Sequence, residues 1–454
     1  MLAERLQALR ADVAAQQHTT DRYSPELLSS LQRLSEALLE ADALEETAQT
    51  LEQQIQLVKI DDGLYTAQQL PFIFQQLAIL AARQNWNDLS DRLQYLTWLL
   101  ERTETQSPEE RLQSMKQTRD WTRFLLLQAP GNQEANYLRQ WRALEHAAIR
   151  LGEEAELDRE TMQTLIYDAA LAELYIALAI VTPGPTSQQL IQGIEGQPQH
   201  NMQPTRRVTT VSDLEAIYGA RTSTVIDRSF NTAMSRHRQL IERLVALYEE
   251  GDSSLEESDP EAAAMLQLYL GDSILLRQQY EPRMGSHISP ARGSNATGSA
   301  ASYYERAWDL LSEAGFDAET LNHYFRCPAP LPLAEFAPRL HAIEPACEAQ
   351  QDGSLRLPAF AAIRNGVPGL AYNGVPDHPL IANPEGTSAV VIFQVGLNGQ
   401  ASRLEYGETL PDTTAARIRA RDILQSLQFR PALQDGRPVR RENVQMQILS
   451  LEPR

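Results

Sequence analysis

Few residues in this chain could do covalent chemistry. Only two lysines occur, Lys59 and Lys116. Neither follows a Gly-rich loop, so the phosphate cradle of nucleotide hydrolases is absent, and a Schiff base is confined to two polar helical stretches. The eight histidines are His18, His146, His200, His237, His287, His323, His341 and His378. No two stand four apart on a helix with an acid between them, so the zinc-protease motif is missing. No Gly-x-Ser-x-Gly elbow, Gly-x-Gly-x-x-Gly turn or Cys-x-x-Cys pair occurs. The acid pairs Glu153-Glu154 and Glu249-Glu250 are adjacent on helices, so their side chains diverge and cannot share a proton. His323, beside Tyr324 and Phe325, reads as a packing residue at a helix end. No catalytic, cofactor-binding or metal-ligating residue is assigned, and the chain reads as non-enzymatic.

The two cysteines, Cys327 and Cys347, flank a Pro-rich turn. Their spacing permits a disulfide, and equally two unrelated thiols. A net charge of −20 argues against nucleic acid as the main ligand, which requires clustered positive charge. It also disfavours anionic lipid surfaces. With 454 residues and 43% hydrophobic content, two or three domains with real cores are expected. Met1 to Arg10 is charged and amphipathic, without the apolar stretch of a secretory signal. The run Ala169 to Val181, broken by Glu173, is shorter than the roughly 20 apolar residues of a spanning helix. A buried helix is expected there, and no transmembrane segment.

These residues are carried mainly by helices. Residues 1–325 read as helix after helix. Ser24-Pro25-Glu26 combines an N-cap, a proline at the first helical position and an early acid, followed by Leu27, Leu28, Leu31, Leu34 and Leu38 at helical spacing. A second helix runs from about Leu44 to Val58. After a turn at Asp61-Asp62-Gly63 another pair follows, carrying Leu70, Phe74, Leu77 and Leu80, then Leu89, Leu93, Leu96 and Leu100. Leu34 and Leu77 stand about 43 residues apart, the period of a repeated helix pair, which indicates an α-solenoid. Loop insertions are expected near 182–227 and 284–299, the second with a weak glycosylation pattern at Asn295. Near the end of the region, Leu270-Gly271, Ile274, Ala300, Tyr304 and Ala307 resemble the tetratricopeptide pattern, whose small residues allow close helix approach.

Residues 326–385 are rich in Pro, Gly and Asn and read as a connector with limited structure. From 386 to 454 the pattern changes. Ser388 to Val395 alternates as a strand, with apolar residues on both faces. Asn398-Gly399 is expected to turn the chain through two positive φ angles into a partner strand at Ala401–Tyr406, with Leu404 and Tyr406 inward. Leu410-Pro411-Asp412 is expected to cap a helix striped by Ala416, Ala420, Ile423, Leu424 and Leu427. Arg417, Arg419 and Arg421 fall mostly outside that stripe. Val444, Met446 and Ile448 alternate in a last strand. Before it, Phe429-Arg-Pro431-Ala432 and Asp435-Gly436-Arg-Pro438-Val439 supply a plug, a helix stop and a turn.

That string, with the hairpin before it, resembles the C-terminal domain of TonB over about residues 387–451. The fold class is thus mostly α, a tetratricopeptide-like helical region, plus a small α+β domain of order β-β-α-β. The resemblance implies a periplasmic domain that contacts an outer-membrane receptor or envelope complex by pairing a peptide with an exposed sheet edge. Carried onto this chain, the peptide-binding edge is Glu442, Asn443, Val444, Gln445, Met446, Gln447, Ile448 and Leu449. The alternatives are an edge covered by the connector or by a second copy of the domain. The expected function is an envelope adaptor that does not itself transduce energy, since no membrane helix or long Pro-rich spacer is read, with an assembly scaffold dimerising through this domain as the competing reading. No cofactor is expected. The periplasm is the expected compartment, with the cytoplasm as the alternative because no export signal is read.

Overall fold

A computed structural model describes residues 2–19, 25–103, 106–128, 133–181, 185–195, 220–247, 256, 259–280, 299–333, 336–342, 347–350, 353–363 and 386–451. The chain divides into two compact units. The first holds α1 (Leu2–Thr19), α2 (Pro25–Glu40), α3 (Leu44–Asp61), α4 (Leu70–Ala82), α5 (Trp86–Arg102) and α6 (Pro108–Gln128). The expected leucines do face inward. Leu6 and Val13 pack with Leu27, Leu31, Leu34 and Leu38, and Leu77, Leu89, Leu93, Leu96 and Leu100 are buried in the next pair. Gly63 turns the chain between the pairs at φ +98. Asn85 caps α5 by accepting from Asp88 N. Ser107 and Glu110 exchange capping bonds at the start of α6, satisfying donors the helix itself leaves open. The expected cap at Ser24 lies outside the described residues.

The second unit begins with α7 (Glu134–Glu154), α8 (Arg159–Val181), α9 (Pro185–Glu195), α10 (Ala220–Ala246), α11 (Pro260–Tyr280), α12 (Ala300–Glu313) and α13 (Ala318–Phe325). Counted from Arg159, α8 is long and apolar enough to cross a membrane, contrary to the expectation from its apolar stretch alone. It is largely buried, however, and every residue from Ala169 to Val181 lies in the core. Part of the expected insertion at 182–227 is instead the helix α9, held by buried Leu190 and by the Ser187 hydroxyl, which donates to Ile180 O. Of the expected loop at 284–299, residues 284–298 with Asn295 lie outside the described residues, and Ser299 caps α12 by accepting from Ser302 N. The tetratricopeptide-like pattern acts as expected at one contact. A Cβ on Gly271 would stand 2.6 Å from the Tyr304 ring, so only glycine lets α11 and α12 approach this closely.

The expected division near residue 325 is not what the structure has. The C-terminal sheet belongs to the same unit as α7–α13, and the connector carries strands. These are β1 (Ala329–Leu331), β2 (Glu348–Ala349), β3 (Leu355–Arg356) and β4 (Phe360–Ile363). They are followed by β5 (Gly386–Val395), β6 (Ala401–Leu410), α14 (Thr414–Ser426), β7 (Gln428–Arg430), β8 (Ala432–Gln434), β9 (Arg437–Val439) and β10 (Arg441–Leu451). The main sheet runs β2-β3-β10-β5-β6, with β4 also on β10. β1 pairs with β7, and β8 with β9. The β-β-α-β core is present, with three short strands added between helix and last strand.

Several local expectations change in physical detail. The turn at 396–400 takes positive φ only at Gly399; it is longer than two residues and closes by Gly396 N to Gln400 O. The cap of α14 is Thr413, which accepts from Ala416 N. Tyr406 is exposed, because register shifts between β5 and β6 break the simple alternation and put Thr409 inward. On β5, Val391, Phe393 and Val395 are buried, but Val390 and Ile392 only partly, so one face is the core face. Asp435 and Gly436 both take positive φ, as the turn requires. The helix stripe also forms: Ala420, Leu424 and Leu427 join Phe393, Phe429, Val444, Met446 and Ile448 in one core.

Candidate functional site

The last strand was the expected binding edge. In the structure β10 is central. On one side it pairs antiparallel with β5, with Val444 against Phe393 and Ile448 against Ala389. On the other it pairs parallel with β3 at Val444 and Gln445, and with β4 from Ile448 onward. Leu357 N also donates to Gln445 O. Val444, Gln445, Ile448 and Leu449 are therefore paired on both sides, so β10 is not the exposed edge strand and the assignment of Glu442 to Leu449 as a peptide-binding edge is corrected. The cause is the connector, which supplies the covering strands and so protects an edge that would invite unwanted pairing. β6 ends the sheet, and among the described residues no further strand lies beside it.

A buried polar cluster joins the sheet to the helices of its unit. Arg430, at the end of β7, forks onto Asp272 of α11, with Nε to Oδ1 at 2.9 Å and Nη2 to Oδ2 at 2.5 Å. Both side chains are almost wholly buried. The Tyr304 hydroxyl donates to the same Asp272 Oδ1 at 2.9 Å. Burial opposes the charge on Arg430, but the facing carboxylate outweighs it and raises the guanidinium pKa above its ordinary value. Burial drives the Tyr304 phenol well above its ordinary value, so it stays a donor. β1 against β7 extends the joint, and the Cys327–Cys347 disulfide fastens it, with a Cα separation of 5.8 Å. Beyond it, Arg339 pairs with Asp259 and Glu261, while Tyr269 accepts from Ala337 N.

This cluster positions elements and presents no reactive atom to solvent. His237 is likewise internal. Its Nδ1–H donates to Ala170 O at 2.8 Å, and Ser273 Oγ lies 2.7 Å from Nε2. Burial lowers its pKa below the ordinary value. His323, expected to pack at the helix end, is exposed beside Tyr324, and it is Phe325 that packs there, against Trp308. Glu153 pairs with Arg243; Glu249 and Glu250 lie outside the described residues. Among the described residues no group of three His, Cys, Asp or Glu side chains could hold a metal.

The first unit offers an open site that leucine periodicity did not disclose. Between α3, α4 and α5 lies a cavity of about 440 Å³ lined by Glu52, Gln76, Arg83, Asp88, Asp91, Arg92 and Tyr95, among others. Glu52 accepts from Gln56, Gln76 and Arg92. Partial burial pushes its carboxyl up, but these donors prevail and hold it below the ordinary value. Tyr95 leads from the cavity to an exposed aromatic patch. Its ring stacks 5.7 Å from Trp98, which meets Tyr65 at 5.5 Å. Lys59 sits over Tyr95 and Arg102 over Trp98. Ile60, Leu64, Tyr65 and Trp98 are all exposed. The sequence signal for this site was Tyr95 and Trp98 on an otherwise leucine-rich helix, with Tyr65 in the turn between α3 and α4.

No family model matches the chain, and no curated protein matches it. Two crystal structures of the nearly identical TPR-like repeats of a Podosopora anserina kinesin light chain align with part of it, each at 14% sequence identity. They cover 42% and 43% of this chain, and 84% and 90% of their own. The TM-scores are 0.28 and 0.29, values that carry no argument. The paired-helix description rests on the packing given above.

Proposed function

We propose that the chain is a non-enzymatic interaction protein that recruits a protein partner through its first unit. The observation carrying this reading is the exposed patch of Ile60, Leu64, Tyr65 and Trp98. Large apolar and aromatic side chains gathered on a surface are what protein interfaces bury, with aromatics as their anchors. The finer reading is a cell-envelope adaptor with a TonB-like C-terminal sheet. The strand, hairpin, helix and last strand in that order support it, as does the disulfide, a bond that persists in oxidising compartments such as the periplasm.

A photo-crosslinking residue at Leu64, introduced in cells that make the protein, tests the recruiting face. A discrete protein adduct that disappears in Trp98→Ala is the expected result; absence of any adduct contradicts the reading. Cell fractionation, with alkylation of Cys327 and Cys347 before lysis, tests the compartment. Oxidised cysteines in the periplasmic fraction are expected, and reduced cysteines in the cytosol contradict it.

The competing reading is an assembly scaffold, favoured by the open outer side of β6. It requires the full chain to be dimeric by light scattering and Tyr406→Pro to make it monomeric, since proline removes a ladder donor.

A further inference from the structure

The aromatic face of the first unit has a hydrogen-bonding balance that narrows what can lie on it. Tyr95 and Trp98 stand on α5 and Tyr65 in the turn after α3, three rings in series at 5.7 and 5.5 Å. Trp98 is 38% exposed and Tyr65 48%, so both present ring surface to a ligand. Among the described residues the Trp98 indole N–H and the Tyr65 hydroxyl make no hydrogen bond, and the Lys59 ammonium over Tyr95 makes no ion pair or hydrogen bond. The Tyr95 hydroxyl is already spent on Gln69 Oε1 at 2.7 Å. The unused polar groups seated among these rings are thus mainly donors.

Three backbone forms could lie on such a face. A helix spends its carbonyls on its own N–H groups and would leave the indole and phenol donors without acceptors. A strand brings N–H groups along with its carbonyls, and among the described residues α1–α6 include no strand edge to receive them. A polyproline segment makes no internal hydrogen bond, so its carbonyls stay free. Each proline also removes an N–H that would otherwise need an acceptor. Its rings are apolar and its backbone is already ordered, which is what aromatic-lined grooves exploit in proline-rich recognition.

We infer that the protein partner is held by a proline-rich segment in the polyproline II conformation, its pyrrolidine rings against Tyr65, Tyr95 and Trp98 and its carbonyls accepting from the Trp98 indole N–H and the Tyr65 hydroxyl. This rests on the recruiting role given to the same face. Lys59 has no carboxylate within ion-pair distance, so an acid among the prolines finds a partner there and a basic residue does not. Exposed Ile60 and Leu64 extend the apolar surface on which the segment lies.

The test uses the full chain and fluorescein-labelled peptides, read by anisotropy. The probes are Gly-Pro-Pro-Asp-Pro-Pro-Gly, the same peptide with alanine for every proline, the same with lysine for the acid, and a helical peptide of Glu-Leu-Ala-Ala-Lys repeats. The proline peptide is expected to bind about tenfold tighter than the alanine and helical peptides, the order set by ring stacking. The lysine version should bind about threefold weaker than its parent, the range for an exposed ion pair. Trp98→Ala should remove binding of the proline peptide. Trp98→Phe and Tyr65→Phe keep the ring and lose the donor, so each should weaken it about fivefold, the range for one hydrogen bond. Both side chains are exposed, so the melting temperature of each variant should match the parent's. A proline peptide that binds no better than its alanine counterpart, a helical peptide that binds tighter, or an affinity unchanged by both Trp98→Phe and Tyr65→Phe would overturn the inference. The cross-link at Leu64 reads the recruiting face separately. A flat panel with a persisting adduct refutes the proline-rich segment and not the partner, whereas absence of any adduct refutes the recruiting role itself.

Discussion

The two units hold together by different means. In the first, helices pack in sequence order and the ion pairs lie at the surface: Arg5 with Glu40, Arg33 with Asp12. Each helix meets its neighbours in the chain, so the unit is close to a sum of local pairs. In the second, Asp272 and Arg430 are 158 residues apart and fully desolvated, and strands from the connector complete a sheet made by the C-terminus. The lesson is that a stack of helix pairs can leave polar groups and aromatics open for a partner. A sheet set into helices instead draws its strands and its buried ion pair from segments far apart in the chain.

The largest expected effect is at the buried pair. Removing one partner strands a charge in the core and costs about 3–5 kcal/mol. Arg430→Met or Asp272→Asn should therefore lower the melting transition of the second unit sharply while leaving the first unchanged, as calorimetry can read. The double variant Asp272→Leu with Arg430→Met should recover most of the loss, since a well-packed apolar pair can replace a buried ion pair.

Next in size is the disulfide. It closes a loop of 20 residues, for which loop-closure entropy gives about 3 kcal/mol. Cys347→Ala should lower the denaturant midpoint of the second unit by a corresponding amount, and reductant should have no effect on the first.

A smaller effect separates the units by pH. Burial depresses the His237 pKa below 6.5, despite the Ala170 carbonyl and Glu173. The unfolded chain then binds a proton that the folded chain refuses, so this contribution is complete above pH 6.5 and is lost as pH falls toward the folded value. His237→Gln should flatten the stability of the second unit between pH 7 and 5. Glu52 has the opposite environment: its folded pKa is lowered, so its contribution persists until pH falls through that lower value. The smallest effect is Arg5→Ala, an exposed pair whose loss should leave thermal melting unchanged.

Much of the first unit was legible because its information is local. Leucines at helical spacing, the Leu34 to Leu77 period and the Gly63 turn all act on near neighbours. So did the Asp435-Gly436 turn and the stripe of α14. Hidden from sequence were the strands at 348–363, each two to four residues long; β3 and β4 pair with β10 about 90 residues onward, and β2 pairs with β3. Segments that short carry no alternation to read, and their Pro-rich setting reads as loop. The exposed edge assigned to Glu442–Leu449 failed for that reason. Asp272 and Arg430 look like ordinary solvated charges until the fold brings them together.

Native-state hydrogen exchange on the full chain tests the central claim, that sheet and helices of the second unit form one cooperative body around Asp272 and Arg430. Amides of β5, β10 and α11 should open with one shared free energy, and Arg430→Met should lower all three together while α2–α5 stay as they were. Protection that persists in the sheet while α11 alone exchanges faster would contradict it.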